Sequence, residues 1–211
     1  MENETDKPGG EHPKHISFNI KIANQKQEGT LKILPIEDYR RMYAISKHYT
    51  KIFDEKLIDL QKSLKNKNFR RNGQIPFIPY YDAEQRFQAK IENFSFQNGK
   101  GFFFLTQYDQ DYFDPVTNED LTYIYQGISD DGKNYILAEF PVSVSFLPNN
   151  YDAVEPEDDK LLRRWTANGD VRSYGKYVAK ITKRLNDLPP DEFQPNLKCY
   201  EEIISSLKIE K

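Results

Sequence analysis

The chain offers three histidines and one cysteine for nucleophilic or metal chemistry, and none of them sits in a recognisable constellation. A Ser, Thr or Cys nucleophile needs a base within hydrogen-bond reach. His12 and His15 lie in or beside a polar N-terminal stretch, and His48 falls inside a helical period, where a partly exposed structural histidine is expected. The words G-x-S-x-G, H-E-x-x-H, G-x-x-x-x-G-K-[ST] and G-x-G-x-x-G do not occur. Cys199 has no neighbouring His, which argues against zinc. Close to Leu197 and Ile203 on an amphipathic stretch, it reads as a small core residue. No catalytic residue, cofactor or metal site is expected from these residues.

Two other groups could carry chemistry. The run DQDYFDPVTNED gathers Asp109, Asp111, Asp114, Glu119 and Asp120 in one loop between aromatic strands. Oxygen-rich loops hold Ca²⁺, but this one lacks the fixed Gly and terminal bidentate Glu of the EF-hand and reads as a solvated connection. It is also where the paired carboxylates of a glycoside-type hydrolase would have to come from, and spacing alone does not set their separation. The second group is Gln107 and Gln126, each inside an otherwise apolar segment, on the pleat faces of Phe103 with Leu105 and of Ile124 with Ile128. A buried amide must find partners or cost about 1–3 kcal/mol. The two amides are expected either to bond each other within the sheet or to anchor a ligand in a pocket walled by Tyr108 or Tyr125.

These residues need a scaffold, and the composition says what kind. Apolar residues are 37% of the 211-residue chain and charged residues 30%, but 14 Tyr and 14 Phe supply the bulk of a core. A formal charge of −3 gives no footprint for nucleic acid. No stretch approaches the roughly 20 apolar residues of a membrane span. Residues 1–14, Gly/Pro-rich and without period, read as a flexible tail, and residues 15–211 as one α+β domain. Ile16, Phe18, Ile20 and Ile22 alternate, as do residues 30–36 after the turn-like Asn24 to Gly29, which predicts a hairpin. A helical period runs from Tyr39 to Leu64 as one helix or two, and dissolves in the Asn-rich KNKNFRRNG. A loop with Pro76 and Pro79 follows. Between Phe87 and Val144 the chain predicts a four-strand meander with tight turns at Asn98 to Gly101 and Asp130 to Lys133, each with the Asn-Gly or Asp-Gly pair that supplies a positive φ. Some of these strands are apolar on both faces and call for a helical layer on each side. Residues 149–160 read as an exposed acidic connector. Tyr174 to Leu188 and Leu197 to Ser206 read as the covering helices.

The words of the central segment carry a resemblance. Pro76 to Pro79 (PFIP), Phe96 to Gly101 (FQNGKG), Leu105 to Tyr108 (LTQY), Tyr123 to Gly127 (YIYQG) and Asp131 to Pro148, with the closing YVAKITKRLNDLPPDEFQPNLKCYEEIISSLKI, resemble a family of uncharacterised secreted bacterial lipoproteins. Tyr125 stands where the family more often has Phe, and the segment 37–66 is more charged than expected of it. The resemblance implies an extracytoplasmic address, in the periplasm or at the cell surface, tethered by a lipid on a cysteine upstream of these residues. It implies no activity. The sequence reading is therefore an α+β protein with an antiparallel β-meander flanked by helices, an α/β/α-type sandwich in the Mog1/PsbP-like style. Its expected role is a cell-envelope binding or assembly module for an unidentified protein or small-molecule partner, without nucleic acid. Gln107, Tyr108, Tyr125 and Gln126 are its ligand-contact candidates, and the alternative is the carboxylate-dependent hydrolase.

Overall fold

The computed structural model describes residues 12–22, 27–66, 75–78, 83–110 and 113–210. Most of the expected tail, residues 24–26 of the first turn, the loop at 67–73, Pro79 and Asp111 lie outside the described residues. Alternating residues form the hairpin β1 (Ile16–Ile20) and β2 (Gly29–Pro35) in an unbroken register from Ile16 opposite Ile33 to Ile20 opposite Gly29. The helical period then makes two helices, α1 (Ile36–Met42) and α2 (Lys47–Asn66). A short 3₁₀ turn at Tyr43–Ile45 and an extended Ser46 (φ −144°) separate them. Ser46 restarts the helix by accepting the Tyr49 amide through its hydroxyl, as Ser does at a helix start.

The meander is present as expected: β4 (Ala89–Phe96), β5 (Gly99–Thr106), β7 (Thr122–Ser129) and β8 (Asn134–Pro141). Two-residue strands β3 (Glu84–Gln85) and β6 (Tyr108–Asp109) pair beside it, as do β9 (Ser143–Val144) and β10 (Phe193–Gln194). The main sheet is antiparallel with order β1-β2-β8-β7-β5-β4. The chain leaves β2, covers one face with α1 and α2, enters at the far edge as β4 and returns strand by strand to β2. α3 (Pro156–Asn168), α4 (Val171–Asp187) and α5 (Leu197–Ser206) follow the sheet, and α4 and α5 cover its other face.

Strand alternation sorts the core into two. Leu34, Phe102, Phe104, Ile124, Tyr135 and Leu137 pack under Tyr39, Tyr43, Phe53 and Leu60 of the α1–α2 layer. Ile33, Phe103, Leu105, Tyr123, Tyr125 and Phe140 pack under Ile181, Leu185, Tyr200 and Ile204 of the α4–α5 layer. The Tyr200 ring stacks on Phe140 at 4.2 Å, and its hydroxyl donates to the Pro141 carbonyl. The protein is thus an α+β fold with an antiparallel sheet between helical layers, and no described helix is long and apolar enough to cross a membrane.

Four local expectations are corrected. The acidic stretch 149–160 becomes helical at Pro156, because Pro in the first turn with carboxylates behind it is a helix start. Cys199 is exposed, since the inward stripe of α5 is Leu197, Tyr200 and Ile204 and the thiol falls beside it. β5 ends at Thr106, so Gln107 lies past the strand rather than within it. Lastly, only one of the two hairpin turns uses glycine for its backbone: Gly132 has φ +71°, whereas Gly99 does not enter that region. A Cβ on Gly99 would lie 2.0 Å from the Phe96 ring, so that glycine answers to space.

The same constraint acts at the sheet centre. Gly101 lies opposite Gly127, and together they leave a slot into which the Tyr125 phenol lies down. There its hydroxyl donates to the Phe94 carbonyl at 3.0 Å. A Cβ on Gly101 would stand 2.2 Å from the Gln126 carbonyl oxygen and 2.4 Å from the Tyr125 ring. Gly101→Ala is expected to destabilise the protein by about 3 kcal/mol through overpacking, and Tyr125→Phe by about 1 kcal/mol through the lost hydrogen bond. Urea unfolding of both variants, giving that order, checks the slot.

Candidate functional site

The two amides singled out by sequence do not meet. Gln126, on the α1–α2 face of β7, accepts from the Tyr135 hydroxyl at 2.8 Å and donates to the Pro76 carbonyl at 3.0 Å. It thereby holds the Ile75–Ile78 segment onto the sheet. Gln107 donates to the Asp109 carboxylate (2.8 Å) and the Pro115 carbonyl (2.9 Å) and accepts from the Thr117 amide (3.1 Å). It closes the loop that follows β6. Tyr108 packs on Phe77 at 5.3 Å and accepts from Gln85 at 2.9 Å, and burial raises its pKa. Tyr125 lies on the opposite face, in its glycine slot. Each of the four candidates finds partners inside the protein.

The acidic loop supplies one unusual carboxyl. Asp109 is 8% exposed and accepts from Arg86, itself 5% exposed, at 3.2 Å. Burial raises its pKa to about 6, against the lowering effect of Gln107 and Arg86, and the charge of Asp114 adds to the rise. Asp120 accepts from the Thr117 hydroxyl, and Glu119 is exposed. Among the described residues no group of three His, Cys, Asp or Glu side chains could hold a metal ion. His12, also, has its place in the fold: it is half-buried with its pKa lowered to about 4, chiefly by desolvation and next by Lys32. Its Nε2 accepts from Lys32 at 3.1 Å, and its Nδ1 lies 3.3 Å from the Tyr39 hydroxyl.

A concave site lies elsewhere, between α4 and the segment 145–155. Asn118 builds its wall. The Asn118 side chain donates to the carbonyls of Val144 (3.1 Å) and Leu147 (3.0 Å) and accepts the Val144 amide (2.9 Å). The backbone amides of Asn118 and Glu119 bond Pro148 and Asn149. Tyr177 of α4 accepts the Val116 amide at 3.1 Å, which fastens the helix to the same loop. Between them is a cleft of about 270 Å³ lined by Phe146, Tyr177, Ile181, Lys180 and Arg184, with Glu155 and Asp158 also at its boundary. The Arg184 guanidinium lies 3.8 Å from the centre of the Phe146 ring. Among the described residues neither Lys180 nor Arg184 has a carboxylate within ion-pair distance.

Such a guanidinium is held by the ring while its planar fork of N–H donors stays available to a carboxylate or phosphate. Lys180, one helical turn earlier, adds a second cation on the same face. Sequence reading missed this cleft because its halves are remote in the chain, and Lys180 and Arg184 look like any solvated helix face. The one local signal was the aromatic Phe146 in a segment that leaves the sheet.

The buried carboxyl makes a signed prediction. A carboxyl whose pKa is higher folded than unfolded binds its proton more readily in the folded state. Its contribution therefore favours folding below about pH 4 and fades as pH rises from 4 through 6. Asp109→Asn should consequently cost more stability, relative to the parent protein, at pH 4.5 than at pH 7, as read from urea midpoints. A larger cost at pH 7 would mean that Arg86 outweighs burial. At the cleft, Asn118→Ala removes three side-chain hydrogen bonds and should destabilise by about 2–3 kcal/mol, with faster amide exchange in residues 144–149. Searches with protein-family models, of curated proteins and of solved structures found no match to this chain.

Proposed function

We propose that this chain is a non-catalytic binding module that takes a small carboxylate-bearing ligand with an apolar body in the cleft between α4 and segment 145–155. One observation carries the reading: Arg184 stacked on Phe146 at 3.8 Å with no carboxylate partner among the described residues. The guanidinium and Lys180 receive the carboxylate, Phe146, Tyr177 and Ile181 receive the apolar body, and the Glu155 and Asp158 side admits a positively charged substituent. A volume of about 270 Å³ limits the occupant to something smaller than a drug-sized molecule.

The extracytoplasmic, lipid-tethered address belongs to this proposal and rests on the resemblance of the central words to secreted lipoproteins. The layering of helices on both faces of a meander is what the Mog1/PsbP-like reading calls for. The hydrolase alternative draws on one observation, the Asp109 carboxyl held near 6. Against it stands the engagement of that carboxylate by Gln107 and Arg86.

Titration of ¹⁵N-labelled protein with benzoate, which pairs a carboxylate with a ring, tests the binding reading. Amide shifts saturating at about millimolar concentration around residues 145–148 and 177–184, and lost in Arg184→Leu, are the expected result. No shifts there, or unchanged shifts in Arg184→Leu, would remove the cleft from consideration.

A further inference from the structure

The two edges of the main sheet are finished differently. β4 is bent by a register shift between Ala89 and Glu92, with Lys90 at φ +49°. It is also capped: the Lys90 amide donates to the Asn186 side chain, and the Gln97 amide to the Leu207 carbonyl. Bulges, charges and covering segments are the usual means by which proteins keep a sheet edge from pairing. Among the described residues β1 has none of them. Its five residues, Ile-Ser-Phe-Asn-Ile, carry no charge and no proline, and its register with β2 is unbroken. Among the described residues no hydrogen bond outside its ladder with β2 reaches Ile16–Ile20. Ile16 and Phe18, neighbours on one face, are 58% and 48% exposed.

We propose that β1 pairs antiparallel with β1 of a second copy about a two-fold axis through Phe18, joining two six-stranded sheets into one. A two-fold interface requires a self-complementary surface, and this strand supplies it. Centring on Phe18 sets Ile16 opposite the partner's Ile20, Ser17 opposite the partner's Asn19, and Phe18 opposite the partner's Phe18. Apolar side chains meet apolar ones on one face and polar meet polar on the other. A slip of two residues in either direction brings Lys14 or Lys21 opposite the strand, so the lysines at its ends favour the centred register. The order Ile-Ser-Phe-Asn-Ile is self-complementary about its middle residue, which makes a second copy of this strand the occupant that fits. Five residues span about 17 Å, so the contact falls below the roughly 1,200–2,000 Å² of standard interfaces, and the dimer should build up with concentration. This inference does not depend on the cleft.

Sedimentation equilibrium of the whole chain from about 1 to 500 µM, the regime of a small interface, should show a monomer–dimer equilibrium. Phe18→Lys and Ile16→Lys, both at exposed positions, should each weaken it about tenfold or more while leaving the urea midpoint nearly unchanged. Directly opposed residues of antiparallel strands have Cα atoms about 4.5–5.5 Å apart, within disulfide reach. In a Cys199→Ser background, Phe18→Cys should therefore oxidise to a covalent dimer much faster than Ile16→Cys. A protein monomeric throughout the range, lysine variants that dimerise like the parent, or faster cross-linking of Ile16→Cys would each overturn the proposal.

Discussion

Burial of β5, β7 and β8 on both faces is the constraint from which the rest of the architecture follows. Phe102, Phe103, Phe104 and Leu105 are consecutive and fully buried, as are Tyr135 to Ala138, so neither face of these strands can be left to water. Each helical layer must then be wide enough to cover three strands. On one side that role falls to α1 and α2, broken at Ser46 so that Tyr39, Tyr43 and Phe53 converge within 5.1–5.7 Å of one another. On the other side it falls to α4 and α5. Aromatic side chains that large fit only if something small lies beneath them, and the facing Gly101 and Gly127 perform that service for Tyr125. The glycines of the central words are thus packing elements as much as turn elements.

What could be read from the residues was periodicity. The β1–β2 hairpin, the meander, the two-part helix of residues 36–66 and α5 all announce themselves by which positions are apolar, because period 2 and period 3.6 are imposed by the backbone itself. What could not be read was decided by partners remote in the chain. α3 hides because its first turn is acidic and only Leu162 and Trp165 face inward, against Tyr174 of the next helix. Cys199 was misplaced because a difference of one residue on a helix is 100° of rotation. The turn at Asn98 misled for a related reason: an Asn-Gly pair suits a left-handed backbone, but here the Phe96 ring selects the glycine.

The polar residues tell the same story at the level of chemistry. Gln107 and Gln126 stand out because an amide in an apolar run must be satisfied, and that much is visible in the sequence. Who satisfies it is not: a tyrosine one strand over and a proline carbonyl 50 residues upstream for Gln126, and a carboxylate two residues on for Gln107. Both amides tie irregular segments to the sheet, Ile75–Ile78 in one case and Pro115–Thr117 in the other. Asn118, unremarkable in sequence because it sits in a polar loop, holds β9 and the turn after it with three side-chain bonds of the same kind, two to Val144 and one to Leu147. Polar side chains in this fold fasten irregular segments to the sheet.

That division of labour separates two arginines, Arg86 and Arg184. Arg86 is buried and already engaged with Asp109, and the cost of desolvating both charges has been met within the folded protein. A ligand that displaced either partner would leave an uncompensated buried charge, so this pair is poorly suited to reversible binding. Arg184 presents the opposite case. Its side chain is oriented by the Phe146 ring, yet its donors remain solvated. A carboxylate arriving there would exchange water for a preorganised fork without breaking an ion pair among the described residues. Under the proposed reading the group that meets the ligand is therefore one the fold has positioned and left without an ion pair among the described residues, and it lies on the outer helical layer rather than among the buried residues that look unusual in the sequence.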